Sequence, residues 1–273
     1  MKWRADRGWG ELVLLVSASV LLLFFDFGAR ILSTNDEARF PMLARDILAR
    51  GDWLLPRLDG SLYLNKPPLH AWLIALASWP AGQVTQWSAV LPSLLGAVGI
   101  AGATYWIGRR LFGAPAGLAA GLIVVTTHGV FTLARVPMPD VTLCAALMAA
   151  MAAFVAAEFD GRRAALVAFY GLVGVAFWTK GPAGLLPLVV VLLYALVTYG
   201  WSGPGRLASP PGLVLLVLLV APWWLLGAAS GGERFLRDVL IQDWLLWYVP
   251  TAAKGWRVMT EPLGLAFGIL VPW

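Results

Sequence analysis

Residues 164–199 read AALVAFYGLVGVAFWTKGPAGLLPLVVVLLYALVTY, and Lys180 is the only charged side chain among them. A helix that crosses the hydrocarbon core of a bilayer needs about 20 predominantly apolar residues. The stretch is long enough for two such helices, at 164–179 and 181–199, with a Gly-Pro break between them. We therefore predict two transmembrane helices joined by a short turn.

The rest of the chain repeats this pattern. Its 273 residues are 60% hydrophobic and 13% charged, whereas a soluble domain carries about 25% charged residues. The 15 Trp residues lie mostly at the ends of apolar runs, as in an interfacial aromatic belt. We predict an all-α, polytopic integral membrane protein. Its predicted spans are residues 11–32, 88–107, 114–133, 139–158, 164–179, 181–199 and 212–229, and a further apolar run begins near residue 262.

Short basic turns between the spans indicate the orientation of the chain. Cytoplasmic loops of membrane proteins carry an excess of Lys and Arg. We expect a plasma (inner) membrane protein whose cytoplasmic side carries Lys2, Arg4, Arg7, Arg109, Arg110, Arg162, Arg163 and Arg206. Since these residues are scattered at helix ends, the net charge of +5 does not indicate binding to nucleic acid.

The opposite, extracytoplasmic side then carries the segments 33–66, 134–140 and 230–261. The apolar run 67–82 opens with Pro67-Pro68, and counting it as a span would place every later basic turn outside. We therefore predict that it lies in the outer interface. Residues 33–82 would form one external loop with interfacial helices inside it.

Most ionisable residues outside the cytoplasmic turns fall on this outer side. Asp36 and Glu37 stand at the start of an amphipathic helix whose apolar residues are Met42, Leu43, Ile47 and Leu48. Asp36 and Asp140 could instead be helix caps, and the cations could instead contact lipid headgroups by snorkelling. The candidate site residues are Asp36, Glu37, Arg39, Lys66, Arg135, Asp140 and Lys180. His70 and His128 are expected to pack or hydrogen-bond locally.

Seven short motifs occur in a fixed order along the chain. They are Asp36-Glu37-Ala38-Arg39, Gly51-Asp52-Trp53, Lys66-Pro67-Pro68-Leu69, Gly108-Arg109-Arg110-Leu111-Phe112-Gly113, Pro137-Met138-Pro139-Asp140, Thr179-Lys180-Gly181-Pro182 and Ala221-Pro222-Trp223. Because of these motifs and their order, the chain resembles the polyprenyl-phosphate-dependent glycosyltransferases of the GT-C fold. Within that group it is similar to bacterial aminoarabinose transferases of lipid A and to protein O-mannosyltransferases.

The resemblance implies an enzyme that moves a sugar from a polyprenyl-phosphate donor to a lipid, glycan or protein acceptor at the extracytoplasmic face, with inversion. The catalytic base would be Asp36, with Glu37 and Asp140 as further acidic candidates. The donor phosphate would be bound by Lys66, Arg39, Arg135 and Lys180, because lysine and arginine stabilise phosphate charge.

Two positions depart from the family pattern. Many relatives have Glu before Lys-Pro-Pro, where this chain has Asn65, and several have a His in the later outer loop, where this chain has none after His128. Both usual ligands of a divalent metal are thus missing, so we predict no metal site unless Asp36, Glu37 and Asp140 supply a carboxylate site. The run beginning near residue 262 stops after about 12 residues, too few to span. Either it is a short interfacial cap, or, as we expect, residues 1–273 are an N-terminal catalytic module that lacks later spans and any C-terminal extracytoplasmic domain.

Two other functions stay open at this point. A transporter or lipid flippase usually places ionisable residues near the bilayer midplane and contains repeats, and this sequence has neither feature. A non-catalytic membrane partner of the same fold is the other alternative, and Asn65 and the missing His favour it.

Overall fold

The structure, a computed structural model, describes residues 8–25, 35–235 and 257–273, together with residues 237, 239 and 241. The N-terminal residues Lys2, Arg4 and Arg7 lie outside the described residues, as does much of the predicted outer segment 230–261. The described helices are α1 (Trp9–Phe24), α2 (Asn35–Arg50), α3 (Leu69–Ser78), α4 (Gln86–Phe112), α5 (Ala114–Thr126), α6 (His128–Ala134), α7 (Pro139–Asp160), α8 (Arg163–Lys180), α9 (Leu186–Tyr199), α10 (Gly203–Leu207), α11 (Pro210–Arg234) and α12 (Arg257–Leu270). Short 3₁₀ segments follow α3, α8 and α9 at Trp79–Ala81, Gly181–Leu185 and Gly200–Ser202.

Helices long enough to cross a membrane confirm the predicted all-α, multi-pass class. The described residues contain four apolar helical runs of sufficient length, or five if α5 and α6 form one bent span. The predicted spans 88–107, 139–158 and 212–229 fall in α4, α7 and α11. The first predicted span is described only as α1, which has 16 residues and is shorter than a full span. Residues 26–32 of that predicted span lie outside the described part of the chain.

A further run, Arg163–Leu207, contains both spans predicted from its sequence, as α8 and α9. A Cβ atom on Gly184 would lie 2.2 Å from the backbone nitrogen of Phe177. Residues seven apart in a continuous helix are separated by about 10 Å along its axis. The chain therefore folds back through Gly181–Leu185, and Gly184 makes the contact possible because it has no side chain.

The predicted span 114–133 is broken, which the sequence analysis does not predict. α5 and α6 meet at an angle of 58° around Thr127. The Thr126 and Thr127 hydroxyls donate to backbone carbonyls one turn earlier in α5. The backbone N–H of His128 donates to the carbonyl of Val271 at 2.8 Å, after the end of α12. Contacts from a distant segment thus replace the helical bonds lost at the break, and such contacts cannot be read from apolar periodicity.

Ion pairs lie at both ends of α7. At its start Asp140 accepts from Lys180 of α8 at 2.6 Å, and at its end Asp160 accepts from Arg110 of α4 at 2.5 Å. The 22 residues of α7 extend over about 33 Å, close to the roughly 30 Å thickness of a bilayer core. The two ionised layers therefore match the two surfaces of a membrane, with the Arg109-Arg110 turn opposite to Asp140.

The segment before α4 forms a compact unit against the start of that helix. α2 buries Phe40, Leu43 and Ile47, and α3 buries Ala71 and Ile74 in the same cluster. These α2 positions repeat every three or four residues. Met42 is 40% exposed and lies off this buried face. The cluster anchors the predicted external loop to the start of α4.

A small antiparallel hairpin, absent from the all-helical prediction, lies within this segment. β1 (Arg57–Leu58) pairs with β2 (Ser61–Leu62). Asp59 and Gly60 have φ of 51° and 79° in the two-residue turn, as a type I′ turn requires. Two residues per strand are too few to give a recognisable alternating pattern.

Replacing Gly184 by alanine tests the reversal between α8 and α9. Its Cβ would overlap backbone atoms of Ala176 and Phe177, which cannot rotate away. We expect Gly184→Ala to lower the free energy of unfolding by about 1–3 kcal/mol or more, measured by thermal unfolding in detergent. Gly102→Ala in α4 is the matched control, since nothing lies within 4 Å of its added Cβ. Equal melting temperatures of the two variants would contradict the reversal.

Candidate functional site

Lys66 lies at the centre of the predicted site residues. It stands between β2 and α3, half-buried and followed by the buried residues Pro67 and Pro68. Burial lowers the pKa of Lys66, and the positive charges of Lys180 and Arg39 lower it further. The carboxylates of Asp140 and Asp36 act in the opposite direction. The structure thus brings together five of the seven predicted site residues, from four separate stretches of sequence.

Each of the two acidic residues in this group forms an ion pair with a basic residue. Asp36 accepts from the Arg39 guanidinium at 2.6 Å across one turn of α2. Asp140 accepts from the Lys180 ammonium at 2.6 Å, which joins the start of α7 to the end of α8. Lys66 is the third cation of the group. With two carboxylates and three basic side chains, the group has a net charge of one positive unit when Lys66 is protonated. This net charge favours binding of an anion.

The two adjacent acidic residues of α2 lie in different environments. The side chain of Asp36 is 64% exposed. Glu37 is 7% exposed and precedes the buried Phe40 by three positions on the packed face of the helix. A carboxylate that takes a proton from a bound substrate has to be reached by that substrate. Asp36 meets this requirement, whereas Glu37 is shielded in the described structure.

Arg135 stands at the C-terminal end of α6, five residues before Asp140. Its guanidinium lies 5.0 Å from the ring centroid of Phe131. Its predicted role as a phosphate ligand stays a prediction.

Side chains that sequence reasoning missed hold the loop against α2. The Asp46 carboxylate accepts from the backbone N–H of Arg57 at 2.9 Å and from the Arg50 guanidinium at 2.9 Å. The indole of Trp72 in α3 donates to the carbonyl of Trp53. These bonds tie the hairpin and the Lys66 segment to α2. Asp46 stands four residues before Arg50, and that spacing was the only sequence signal for its role.

A row of aromatic rings connects this unit to the later helices. The Trp72 ring lies 5.1 Å from that of Trp178 in α8, which lies 5.9 Å from Trp223 in α11. Trp178 stands two residues before Lys180, so the row fixes the end of α8 close to α3. The Trp-rich composition predicts residues at the interface but not this row.

The acidic residues do not fit a divalent metal. Asp36 and Asp140 are each engaged by a cation, and Asn65 offers a neutral amide rather than a carboxylate. Among the residues that the structure describes, no group of three His, Cys, Asp or Glu side chains could hold a metal ion.

Comparison with known proteins relates this fold and site to membrane transferases. Residues 65–226 match the family described as dolichyl-phosphate-mannose-protein mannosyltransferase. The chain is 29% identical over 239 residues to the undecaprenyl phosphate-alpha-4-amino-4-deoxy-L-arabinose arabinosyl transferase of Edwardsiella ictaluri, covering 84% of this chain and 42% of the relative. It is 32% identical over 230 residues to the corresponding transferase 1 of Sodalis glossinidius, covering 80% of this chain and 40% of the relative.

Solved structures give the same relationship. The crystal structure of ArnT from Cupriavidus metallidurans bound to undecaprenyl phosphate superposes with a TM-score of 0.83 at 27% identity, covering 98% of this chain and 50% of that one. The Archaeoglobus fulgidus oligosaccharyltransferase has a TM-score of 0.62 at 16% identity, covering 97% of this chain and 38% of that one, and it supports the fold alone. The chain spans less than half the length of the two curated relatives.

The charges around Lys66 can be tested by substitutions with opposite effects. Lys180→Gln removes a neighbouring cation and should raise the pKa of Lys66, whereas Asp140→Asn removes a neighbouring anion and should lower it. The pH dependence of Lys66 acetylation by acetic anhydride, followed on peptides by mass spectrometry, measures both shifts. Asp59→Asn in the exposed hairpin turn is the control and should leave the profile unchanged. Shifts of the same sign in the two site variants would contradict the described geometry.

Proposed function

Since the chain belongs to the dolichyl-phosphate-mannose-protein mannosyltransferase family, we propose that it is the N-terminal catalytic module of a membrane glycosyltransferase, with residues 33–82 as its external loop. The donor is a polyprenyl-phosphate sugar, and the acceptor is a lipid, glycan or protein group. The observation that carries the proposal is the convergence of Lys66, Lys180 and Arg39 with Asp36 and Asp140 at one end of the helices.

We place the protein in the plasma (inner) membrane, with this site facing the periplasm or exterior. α7 separates Asp140 from the ion pair formed by Arg110 and Asp160 by the thickness of a bilayer core. If the basic turns are cytoplasmic, Asp140 lies at the outer surface. A donor can then keep its polyprenyl chain in hydrocarbon while its phosphate and sugar reach the charged residues.

The chemistry assigns one role to the cations. As the bond between the sugar C1 and the phosphate oxygen breaks, its electron pair remains on the lipid phosphate, whose negative charge grows. Lys66, Lys180 and Arg39 stabilise that charge, and Lys66 becomes more strongly protonated because an arriving phosphate raises its lowered pKa. Arg135 is a fourth candidate for contact with the phosphate, at the end of α6.

A second role belongs to the carboxylates. The acceptor O–H group loses its proton to Asp36 as its oxygen forms the new bond to C1 of the sugar, on the face opposite to the departing phosphate. Such a single displacement inverts the configuration at C1. Asp140 holds Lys180 beside Lys66. Glu37, which lies on the packed face of α2, is the weaker candidate for the base.

The first test concerns the proton acceptor. In the full-length protein, Asp36→Asn should lower kcat for sugar transfer about 10²–10⁴-fold, because the amide cannot take the proton. Transfer is measured with a radiolabelled polyprenyl-phosphate sugar and an extract of membrane lipids and glycans as acceptor. Asp52→Asn, an exposed acid of the same loop, should retain normal transfer. A wild-type protein that binds the donor lipid but transfers nothing would favour the non-catalytic partner instead.

The second test concerns the phosphate. Lys66→Met should weaken binding of undecaprenyl phosphate by roughly 10- to 100-fold, the usual effect of losing a hydrogen bond between charged groups. Titration of the full-length protein in detergent measures the affinity. Arg57→Met, which alters a cation of the hairpin, is the control. Equal affinity of wild type and Lys66→Met would remove Lys66 from the site.

A further inference from the structure

His70 is a buried side chain to which neither the sequence motifs nor the proposed reaction gives a role. It is the second residue of α3 and is 0% exposed. Its Nδ1 atom lies 2.8 Å from the Thr142 hydroxyl of α7. Its ring packs edge-on against Phe40 of α2, with 5.2 Å between centroids. The Pro137 carbonyl lies near enough to raise the pKa of the ring, while Nε2 has no hydrogen-bond partner among the described residues. One imidazole therefore joins three segments that are distant in the sequence.

Each contact of His70 lies close to a charged residue of the site. Phe40 directly follows Arg39 and is buried in the cluster that packs α2 against α3. Pro137 and Thr142 stand on either side of Asp140. Lys66 precedes His70 by four residues, with the two buried prolines at the start of α3 between them. The imidazole thus contacts residues close in sequence to Arg39 and Asp140, and it follows Lys66 by four positions.

We propose that His70 is a positioning residue, which sets the distances between the α2 acid–base pair, Lys66 and Asp140. This inference rests on the proposed function only for its effect on catalysis. The geometric part concerns the placement of Lys66 and holds whether or not the protein transfers sugars.

A histidine suits this position because its ring can bond the Thr142 hydroxyl through Nδ1 and remain uncharged. Burial lowers the pKa of His70 to about 4, against the weaker opposing influence of the Pro137 carbonyl and the Asp140 carboxylate. The ring is therefore neutral near pH 7, with one nitrogen that donates and one that accepts. A lysine or arginine here would add a fourth positive charge beside Lys66, Lys180 and Arg39.

The experiment uses two pairs of variants in the full-length protein. His70→Phe fills the space without hydrogen bonds, whereas His70→Asn keeps a polar group near the place of Nδ1. Thr142→Val removes the hydroxyl with little change in shape, whereas Thr142→Ser keeps it. His128→Phe is the control histidine, since that side chain is exposed and lies in α6.

The decisive measurement is acetylation of Lys66 by acetic anhydride as a function of pH. If His70 holds Lys66 in its half-buried place, His70→Phe and Thr142→Val let it approach solvent, and its pKa rises toward the ordinary value. The rate at pH 8 should then fall roughly threefold, which corresponds to half a pKa unit. His70→Asn, Thr142→Ser and His128→Phe should stay close to wild type. Profiles of His70→Phe and Thr142→Val that coincide with wild type, or an equal shift in His128→Phe, would overturn the proposal.

Transfer kinetics supply the second readout. A displacement of about 1 Å between reacting groups lowers kcat roughly 100-fold, so Thr142→Val should lower kcat by 10- to 100-fold with little change in KM. Thr142→Ser should restore it. If the wild-type protein transfers no sugar, the proposed function fails, and the Lys66 profile alone still decides the role of His70.

Discussion

The structure depends on one constraint: charged groups have to lie at the two surfaces of a membrane and be paired where they are buried. α7 meets this constraint with an aspartate in its first turn and another at its last residue, each bonded to a cation of a neighbouring helix. α7 packs parallel to α4 and antiparallel to α8, because Arg110 and Lys180, each near the C-terminal end of its helix, pair with opposite ends of α7. The apolar lengths between these pairs then match the bilayer core.

The candidate site is a consequence of the same arrangement at one surface only. At one end of α7, Asp160 pairs directly with Arg110. At the other end, Lys66 and the Asp36–Arg39 ion pair, both from the segment before α4, lie near Asp140. That segment can lie on the helices because α3 is only 10 residues long and does not span. A full span at this point would have carried the Lys66 segment and the Asp140 turn to opposite surfaces.

Apolar run length was sufficient to predict the class of the fold and most of its helices. The reversal after Lys180 was also readable, because Gly181-Pro182 interrupts the run. The break at Thr127 could not be predicted, since it depends on a hydrogen bond from the His128 N–H to the carbonyl of Val271, more than 140 residues away. Among the candidate site residues, the family motifs predicted Asp36, Lys66, Asp140 and Lys180, and geometry was needed to distinguish the exposed Asp36 from its buried neighbour Glu37. His70 carries no motif, and its role depends on contacts between three segments.

The junction between α12 and the start of α6 has a mechanical consequence. α6 has seven residues, a stiff rod of about 10 Å. One of its ends is fastened to the Val271 carbonyl, and Gly129 in its first turn lies against Ile269. The other end carries Arg135. A tilt of α12 would therefore be transmitted along α6 and would displace the Arg135 guanidinium sideways. Movement in the later part of the chain can thus change the position of this basic side chain without deforming the other helices.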